Sequence, residues 1–211
     1  MKVKSKKIRS NWQQWNPITS LGLEVKDKKY NSIKDLLVQK FLTIQESQII
    51  EKLCPNLEYI VYHTRRTSKA SASDPITKIK VIVVIGNRTG IIGIGKGANA
   101  EFTFALESAI EKAKKNVILL DLGCGSLNCN KICHELHSIK RRVIGKSSSC
   151  KIILEPAALG KSLTCNDLVK NVLDLAGIKD LMVTTMGSTN KINTSQALYN
   201  ALSQITCQTI L

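Results

Sequence analysis

Glycines and a lysine alternate in one stretch of the chain, Gly93-Ile94-Gly95-Lys96-Gly97, and this stretch has the most evident chemistry. Glycine-rich segments that lead into a helix can cradle a phosphate group with backbone N–H groups. The pattern Gly90-x4-Gly95-Lys96-Gly97 is similar to a Walker A loop but lacks the final Ser or Thr, whose hydroxyl would bind magnesium. Residues 95–100 also fit the dinucleotide pattern G-x-G-x-x-(G/A), with Asp121 placed as a ribose-binding acid.

The elements on either side favour RNA over a nucleotide as the source of the phosphate. Residues 76–85 and 91–95 predict two strands, and the short loop between them has glycine at both ends, which is typical of a hairpin. A dinucleotide loop instead follows a buried parallel strand. We therefore expect Gly93, Gly95 and Gly97 to permit positive φ and the close approach of an RNA backbone. A nucleotide-binding enzyme that uses this loop is the alternative.

The charge of the chain also indicates a polyanionic partner. The 211 residues carry 31 Lys and Arg against 16 Asp and Glu, a formal net charge of +15. No apolar run approaches the ~18 residues of a membrane span, and the basic residues 1–10 do not lead into a secretory signal. The sequence therefore predicts a soluble cytoplasmic protein with no membrane partner.

Basic residues cluster at several points of the predicted elements. Residues 64–69 predict a mobile basic loop that follows a phosphate backbone, with a solvated connector as the alternative. Lysines crowd the last turns of a helix predicted over residues 100–116, where ammonium groups are free for an outside anion. The predicted RNA-binding residues are these cations and the nearby glycines: Arg65, Arg66, Lys69, Arg88, Gly93, Gly95, Lys96, Gly97, Lys112, Lys114, Lys115, Lys140, Arg141, Arg142 and Lys146.

Helix signals appear at both ends of the chain. Near the N-terminus, helices are predicted over residues 33–41 and 45–53, after a basic arm and an anchoring Trp15. In the last third, Asn166 and Gly177 delimit a helix over residues 168–176, and Thr194 or Ser195 begins a final one. The acids of this third show no histidine partner in the sequence, so no catalytic pair is predicted and the chain is not expected to be an enzyme.

Soft metal ligands are close together in one segment. Cys124, Cys129, Cys133 and His134 lie there, with His137 nearby, but their spacing differs from the two-residue knuckles of structural zinc sites. We expect no cofactor, with zinc as a weak alternative at these residues. Seven cysteines without a secretory signal favour free thiols.

The glycine-rich hairpin and its helix, residues 83–97 and 109–116, closely resemble the signature of one family. The likeness continues through Leu154-Glu155-Pro156-Ala157, residues 172–180, Gly187-Ser188-Thr189-Asn190 and Gln196-Ala197-Leu198. The family is the small-subunit ribosomal protein S-five family, called S-two in eukaryotes. The N-terminal extension is similar to that of archaeal and eukaryotic members.

The resemblance implies an α+β fold in two domains. It implies a double-stranded-RNA-binding-like N-terminal domain, made of a β-hairpin sheet plus a helix, and a small βαβ-type C-terminal domain. Together with the charge pattern, it predicts a basic arm and helical N-terminal extension over residues 1–56 and the RNA-binding-like domain over 57–122. A cysteine-containing basic linker then covers 123–148 and the C-terminal domain 149–211.

The function implied by the resemblance is that of a structural constituent of the small ribosomal subunit. Such a protein binds small-subunit rRNA at the neck near the mRNA entry channel, and contributes to subunit assembly and decoding accuracy. Its implied partners are ribosomal proteins S-four and S-eight, S-three at the entry channel, and mRNA. Gly160-Lys161-Ser162 departs from the Gly-Thr-Gly of the family. A free double-stranded-RNA-binding regulatory protein is the alternative.

Overall fold

The structure is a computed structural model that describes residues 5–8, 15–27, 29–30, 33, 36, 44–70, 74–124 and 136–206. Contacts divide the chain into two units. The first unit contains the described residues up to Ile85, together with Gly93–Val117. The second contains Gly86–Ile92 and the described residues from Ile118 onward. Among the described residues, none of the helices has the length and apolar character to cross a membrane.

The first unit is built on a five-stranded sheet that includes the predicted hairpin. Its strands follow the order β1-β2-β3-β4-β5 and are β1 (Lys6–Lys7), β2 (Glu58–Lys69), β3 (Ile76–Gly86), β4 (Ile91–Asn99) and β5 (Val117–Leu119). Its helices are α1 (Ser20–Lys26), α2 (Ser47–Leu53) and α3 (Phe102–Lys115). The β-branched centre of β3, residues 81–85, is buried at every position. The predicted strands at 76–85 and 91–95 and the predicted helix over 100–116 are confirmed, with small shifts at their ends.

A row of glycines on β4 packs directly on a row of alanines on α3. A Cβ atom added at Gly93 would lie 2.4 Å from the carbonyl oxygen of Ala113, and added Cβ atoms at Gly95 and Gly97 would lie 2.0 Å from those of Ala109 and Ala105. The rows match because a two-residue step on a strand advances about 6.7 Å and a four-residue step on a helix about 6 Å. We call this contact the glycine–alanine seam.

The seam corrects the role predicted for its glycines. Gly93, Gly95 and Gly97 are buried, and none of them has positive φ. The backbone that approaches them closely belongs to α3 of the same chain, so the predicted approach of an RNA phosphate on that side is wrong. A nucleotide loop is excluded for the same reason, because these glycines lie within a strand and their free side is filled by a helix.

The predicted mobile loop over residues 64–69 is also wrong, because these residues continue β2. The long β3 neighbours this end of β2 in the sheet, and the hydroxyl of Thr67 donates a hydrogen bond to the carbonyl oxygen of Lys78 at 3.2 Å. Both strands run well beyond their buried part, since residues 64–69 and 76–80 lack fully buried positions. We call residues 64–69 of β2 with residues 76–80 of β3 the basic ribbon.

Glu46 joins two segments of the N-terminal extension to each other. Its carboxylate accepts hydrogen bonds from the indole N–H of Trp15 at 2.7 Å and from the amide and hydroxyl of Thr19 at 2.7 and 2.6 Å. Burial alone would raise the pKa of Glu46, but these hydrogen bonds lower it below the usual value. Trp15 is therefore anchored on the protein itself, which confirms its predicted role as an anchor. The predicted helix over 33–41 lies mostly outside the described residues.

The second unit contains a four-stranded mixed sheet. Its strands are β8 (Val143–Ser147), β9 (Cys150–Pro156), β10 (Leu163–Thr164) and β11 (Leu181–Gly187), in the order β10-β11-β9-β8. Helix α4 (Asp167–Ala176) connects β10 to the parallel β11, which confirms a βαβ connection. A two-stranded pair, β6 (Leu122–Gly123) and β7 (Ser138–Ile139), precedes this sheet, and α5 (Lys191–Ser203) follows it. Strand β8 occupies part of the predicted linker over 123–148.

Capping residues fix the ends of both helices in the second unit. The side chain of Asn166 accepts from the amide of Leu168, and Gly177 has φ +84°, so the predicted limits of α4 are confirmed. The amides of Arg88 and Gly90 donate to the last carbonyls of α4, at 2.9 and 3.0 Å. The predicted start of α5 is wrong: Asn190 is the N-cap, while Thr194 and Ser195 lie inside the helix and donate back to its carbonyls.

Replacing the central glycine of the seam tests its packing. In Gly95→Ala the new methyl group meets helix backbone that cannot move away as a side chain could. We expect a loss of at least about 3 kcal/mol in the free energy of unfolding, the upper end of the range for overpacked cores. Urea denaturation measures it. Lys96→Ala is the matched control, because the neighbouring side chain is exposed. Equal stability of the two variants would contradict the seam.

Candidate nucleic-acid interface

The basic ribbon displays five cations on two neighbouring strands. Arg65, Arg66 and Lys69 are exposed at the end of β2, and Lys78 and Lys80 are exposed at the start of β3. Residues 64–69 and 76–80 contain no acid. A strand pair holds its cations at fixed spacing, so less side-chain and backbone entropy is lost when they bind a phosphate backbone than with a mobile loop. The sequence missed Lys78 and Lys80, although their alternation with apolar residues signalled an exposed strand face.

The three lysines at the end of α3 have two different environments. Lys112 and Lys115 are exposed, as an RNA contact requires. Lys114 is buried, and its ammonium lies 2.6 Å from Glu51 Oε1 of α2. The prediction that Lys114 offers a free charge to an outside anion is therefore wrong, because its charge is already neutralised within the first unit.

Two further predicted RNA-binding residues lie in the β3–β4 hairpin, Arg88 in its turn and Lys96 within β4. Arg88 is exposed and adopts φ +59°, a left-handed conformation that is uncommon outside glycine. Its amide is fixed by the bond to Leu175, which holds the residue in this position. Lys96 is exposed between Gly95 and Gly97, and desolvation lowers the pKa of its ammonium. The seam fixes the backbone on both sides of Lys96.

Two lysines face each other on the β8–β9 hairpin. Lys146 of β8 is paired directly with Lys151 of β9, and both are exposed. Because Ser147 and Cys150 close the two-residue turn as a hydrogen-bonded pair, Lys146 and Lys151 occupy the next, non-hydrogen-bonded position, where cross-strand side chains lie closest. Like charges at this position destabilise a hairpin. The pair is thus suited to an anion from outside, and the sequence missed Lys151 because the register was not known.

The neighbouring cations of this segment have partners within the chain. Lys140 Nζ lies 2.6 Å from Asp121 Oδ2, and Arg142 Nε lies 3.0 Å from Glu155 Oε1. Arg141 donates to the carbonyl oxygen of Gln204 at 3.0 Å. All three residues are exposed, so a phosphate can still approach them. Their charges are shared, whereas no ion pair involves Lys146 or Lys151 among the described residues.

The metal prediction remains untested. Cys129, Cys133 and His134 lie outside the described residues, and the described part of the chain has no group of three or more His, Cys, Asp or Glu side chains that could hold a metal ion. Cys124 is half-buried with a free thiol. The other described cysteines are free as well, and burial raises the pKa of the Cys165 thiol to about 11.

His137 has a partner that the sequence did not reveal. Its Nδ1 lies 3.0 Å from Asp180 Oδ2, and the imidazole is fully buried. The other carboxylate oxygen of Asp180 accepts from the amide of Ser162 at 2.7 Å, and the His137 carbonyl accepts from the amide of Asp180 at 3.1 Å. These bonds tie three segments of the second unit together. The expectation that Asp180 has no histidine partner is wrong, and the closed network gives the pair a structural role.

Comparison with known proteins gives two family matches and several relatives. Residues 57–120 match the family described as Ribosomal protein S5, N-terminal domain, and residues 145–208 match Ribosomal protein S5, C-terminal domain. Small ribosomal subunit protein uS5 of Aeropyrum pernix is 40% identical over 191 residues, which cover 90% of this chain and 86% of that protein. The uS5 proteins of Hyperthermus butylicus and Saccharolobus solfataricus are 40% and 37% identical, and the alignments cover 91% and 94% of this chain and 90% and 94% of the relatives.

Adjacent lysines of α3 allow a matched test of the interface. Lys114→Ala removes the buried ammonium 2.6 Å from Glu51 Oε1, so we expect about 1.5–3 kcal/mol lower stability in urea denaturation. Lys115→Ala removes an exposed charge and should leave stability within about 0.5 kcal/mol, while making the salt dependence of RNA binding less steep. The opposite pattern, with a stable Lys114→Ala protein and an unfolded Lys115→Ala protein, would refute this assignment.

Removing one charge of the lysine pair on the β8–β9 hairpin should increase stability and weaken RNA binding. Lys151→Thr removes the like-charge repulsion and should raise the free energy of unfolding by about 0.5–1 kcal/mol at low salt, with a smaller gain at high salt. The same change should weaken RNA binding. Lys151→Arg keeps the charge and serves as the control in both measurements. A gain in stability that does not depend on salt would show that repulsion is not its cause.

Proposed function

The chain belongs to the ribosomal protein S5 (S-five) family, and we propose that it binds rRNA in the small ribosomal subunit through the basic ribbon and the lysine pair on the β8–β9 hairpin. It is a structural constituent of the small subunit, located with the ribosome in the cytoplasm, and not an enzyme. Its α+β fold supplies surfaces for RNA, and its excess of 15 positive charges suits that partner.

The basic ribbon is the observation that carries the proposal. It combines five exposed cations, strand geometry and the absence of acids within its own residues. Each phosphate that such a cation neutralises releases counterions from the RNA, which gives affinity without base recognition. The family resemblance supports a position of residues 64–69 near the junction of head and body of the subunit, and a ribbon that extends beyond the packed sheet is suited to reach into RNA there.

A finer part of the proposal concerns how the first unit reads RNA. A hairpin followed by a helix with exposed cations at its end is the arrangement of a double-stranded-RNA-binding-like domain. Such domains recognise the shape of the duplex, its phosphates and its 2′-hydroxyls more than its sequence. We expect Lys112 and Lys115 to contact phosphates at that end of α3, with Arg88 and Lys96 as further contacts.

The proposed partners follow from the family and from the charge of residues 151–211. The family implies a location at the neck beside the mRNA entry channel, with S-four, S-eight and S-three as neighbours and effects on assembly and decoding accuracy. Residues 151–211 carry five Lys or Arg and four Asp or Glu, so this part is nearly neutral. A neutral surface suits protein neighbours better than RNA.

A free double-stranded-RNA-binding regulator is the second candidate, and the exposed basic ribbon would serve it equally well. Sedimentation separates the two functions. The tagged full-length protein should co-sediment with small subunits through a sucrose gradient at physiological salt, with small-subunit rRNA in the same fractions. Recovery of the protein only in light fractions, bound to other duplex RNA, would favour the regulator.

Neutralising the ribbon tests which surface binds RNA. We expect the triple variant Arg65→Gln, Arg66→Gln and Lys69→Gln to bind a small-subunit rRNA fragment more weakly. The slope of log Kd plotted against the logarithm of the salt concentration should also fall by about 2–3, because roughly one unit is lost with each phosphate contact. Filter binding at several salt concentrations measures it. The control replaces Lys161, Lys170 and Lys191, exposed lysines of the second unit, with Gln. Equal slopes for both triple variants would rule out the ribbon as the binding surface.

A further inference from the structure

The two edges of the sheet in the second unit differ in how far their backbone groups are already hydrogen-bonded. At the β8 edge, the side-chain amide of Gln204 donates to the carbonyl oxygen of Ile144 at 3.1 Å, and that of Asn200 donates to the carbonyl oxygen of Lys146 at 3.0 Å. Asn200 belongs to α5, and Gln204 is the residue that caps its C-terminal end. Two acceptors that a further strand would need are thus already occupied. This edge is protected in the way natural sheets avoid unwanted strand pairing.

The β11 edge is protected only at its beginning. Strand β9 pairs with β11 along all seven residues, from Leu181 to Gly187. On the opposite side, β10 pairs only with Leu181 and Met182, and the chain then turns into α4. Among the described residues, no strand pairs with residues 183–187 on that side.

The register shows which backbone groups this leaves unpaired. Because Ser147 and Cys150 form a hydrogen-bonded pair at the β8–β9 turn, the groups of Cys150 point toward β8 and those of Lys151 toward β11. Lys151, Ile153 and Glu155 therefore bond Met186, Thr184 and Met182. The intervening residues Val183 and Thr185 turn their N–H and C=O groups away from β9. Strand β10 takes up one of these groups, because the parallel pair Thr164–Met182 requires the Val183 N–H to donate to the Thr164 carbonyl oxygen. The Val183 carbonyl, both groups of Thr185 and the outward N–H of Gly187 have no strand partner on this side among the described residues.

The composition of this edge points to a protein partner. Residues 181–187 read Leu-Met-Val-Thr-Thr-Met-Gly and contain no charge and no proline, although the chain has a net charge of +15. Charged residues and prolines are the usual means by which an edge strand avoids pairing. RNA is a poor match, since its phosphates only accept hydrogen bonds, whereas the edge offers donors and acceptors in alternation. An extended protein segment supplies both at the right spacing.

We infer that the free edge of β11 at residues 183–187 receives an extended, uncharged segment of another small-subunit protein as an additional strand. Thr185 would exchange two backbone hydrogen bonds with the incoming segment, and the Val183 carbonyl would accept one more. Met186, which is 51% exposed, would pack against its side chains. The inference rests on the proposed place of the chain in the small subunit and adds a docking mode for one of its protein neighbours.

Hydrogen–deuterium exchange with fragmentation to single residues tests the added strand. The full chain is measured free and within purified small subunits. In the free chain the amide of Thr185 should exchange fast, and in the subunit at least tenfold more slowly, whereas the Val183 amide, bonded to β10, should be slow in both. The amides of Thr184 and Met186, already bonded to β9, should be slow in both. Co-sedimentation without slower exchange at Thr185 would overturn the added strand while leaving the proposed function intact.

A pair of variants separates strand addition from simple coverage. Thr185→Pro removes the outward N–H without breaking a bond to β9, and Thr185→Val keeps that N–H. Within the subunit, the Gly187 amide, which also points away from β9, should exchange slowly in Thr185→Val and fast in Thr185→Pro. Unchanged slow exchange in both variants would mean that the edge is only covered, and strand addition would be rejected.

Cross-linking identifies what lies at the edge. A photoreactive residue replaces Met186 in the full chain, and the cross-linked partner in purified small subunits is identified by mass spectrometry. A peptide of one other subunit protein supports the inference. A cross-link to rRNA, to residues 125–135 of the same chain or to a second copy of the chain would overturn it.

Discussion

The glycine–alanine seam is the contact on which the first unit depends. It brings a strand backbone and a helix backbone closer than any side chain would permit, since a single methyl group at Gly95 would lie 2.0 Å from a helix carbonyl. Rigid packing of this kind fixes the position of α3 on the sheet. It thereby determines which helix residues are buried and which are exposed, and it places Lys96 on a strand that cannot shift. The same device recurs in the second unit, where a Cβ atom at Gly145 would lie 2.1 Å from the carbonyl oxygen of Ala197.

Local signals in the sequence predicted the elements whose limits are set locally. The hairpin around residues 86–90, the periodic helix α3, and α4 with its Asn166 cap and Gly177 exit all follow from patterns within a few residues. The predictions were wrong where the structure of a segment depends on contacts with residues far away in the sequence. Residues 64–69 become a strand because β3 extends alongside them, and the glycines of β4 become a seam because α3 carries alanines at four-residue spacing.

The candidate interface was predicted less well than the fold, because a cation in the sequence does not show its partner. Lys114 and Glu51 are 63 residues apart, and the two groups of the His137–Asp180 pair also come from distant segments. Lys151 was missed although it lies five residues from Lys146, since only the register of the hairpin shows that the two face each other. Pairwise contacts of this kind are set by tertiary structure, and residue type and local spacing do not contain them.

Net charge therefore overstates the surface available to RNA. Lys114, Lys140 and Arg142 each lie within 3.0 Å of a carboxylate oxygen of the same chain, and such a pair attracts a phosphate less than an unshared cation does. The basic ribbon and the lysine pair on the β8–β9 hairpin differ, because their neighbours in the sheet are cations or uncharged residues. Repulsion between them lowers the stability of the free protein by a small amount, and a bound RNA relieves it. RNA binding at these surfaces is therefore favoured both by the attraction between cations and phosphates and by the relief of repulsion between the cations. This makes them the part of the chain best suited to bind RNA.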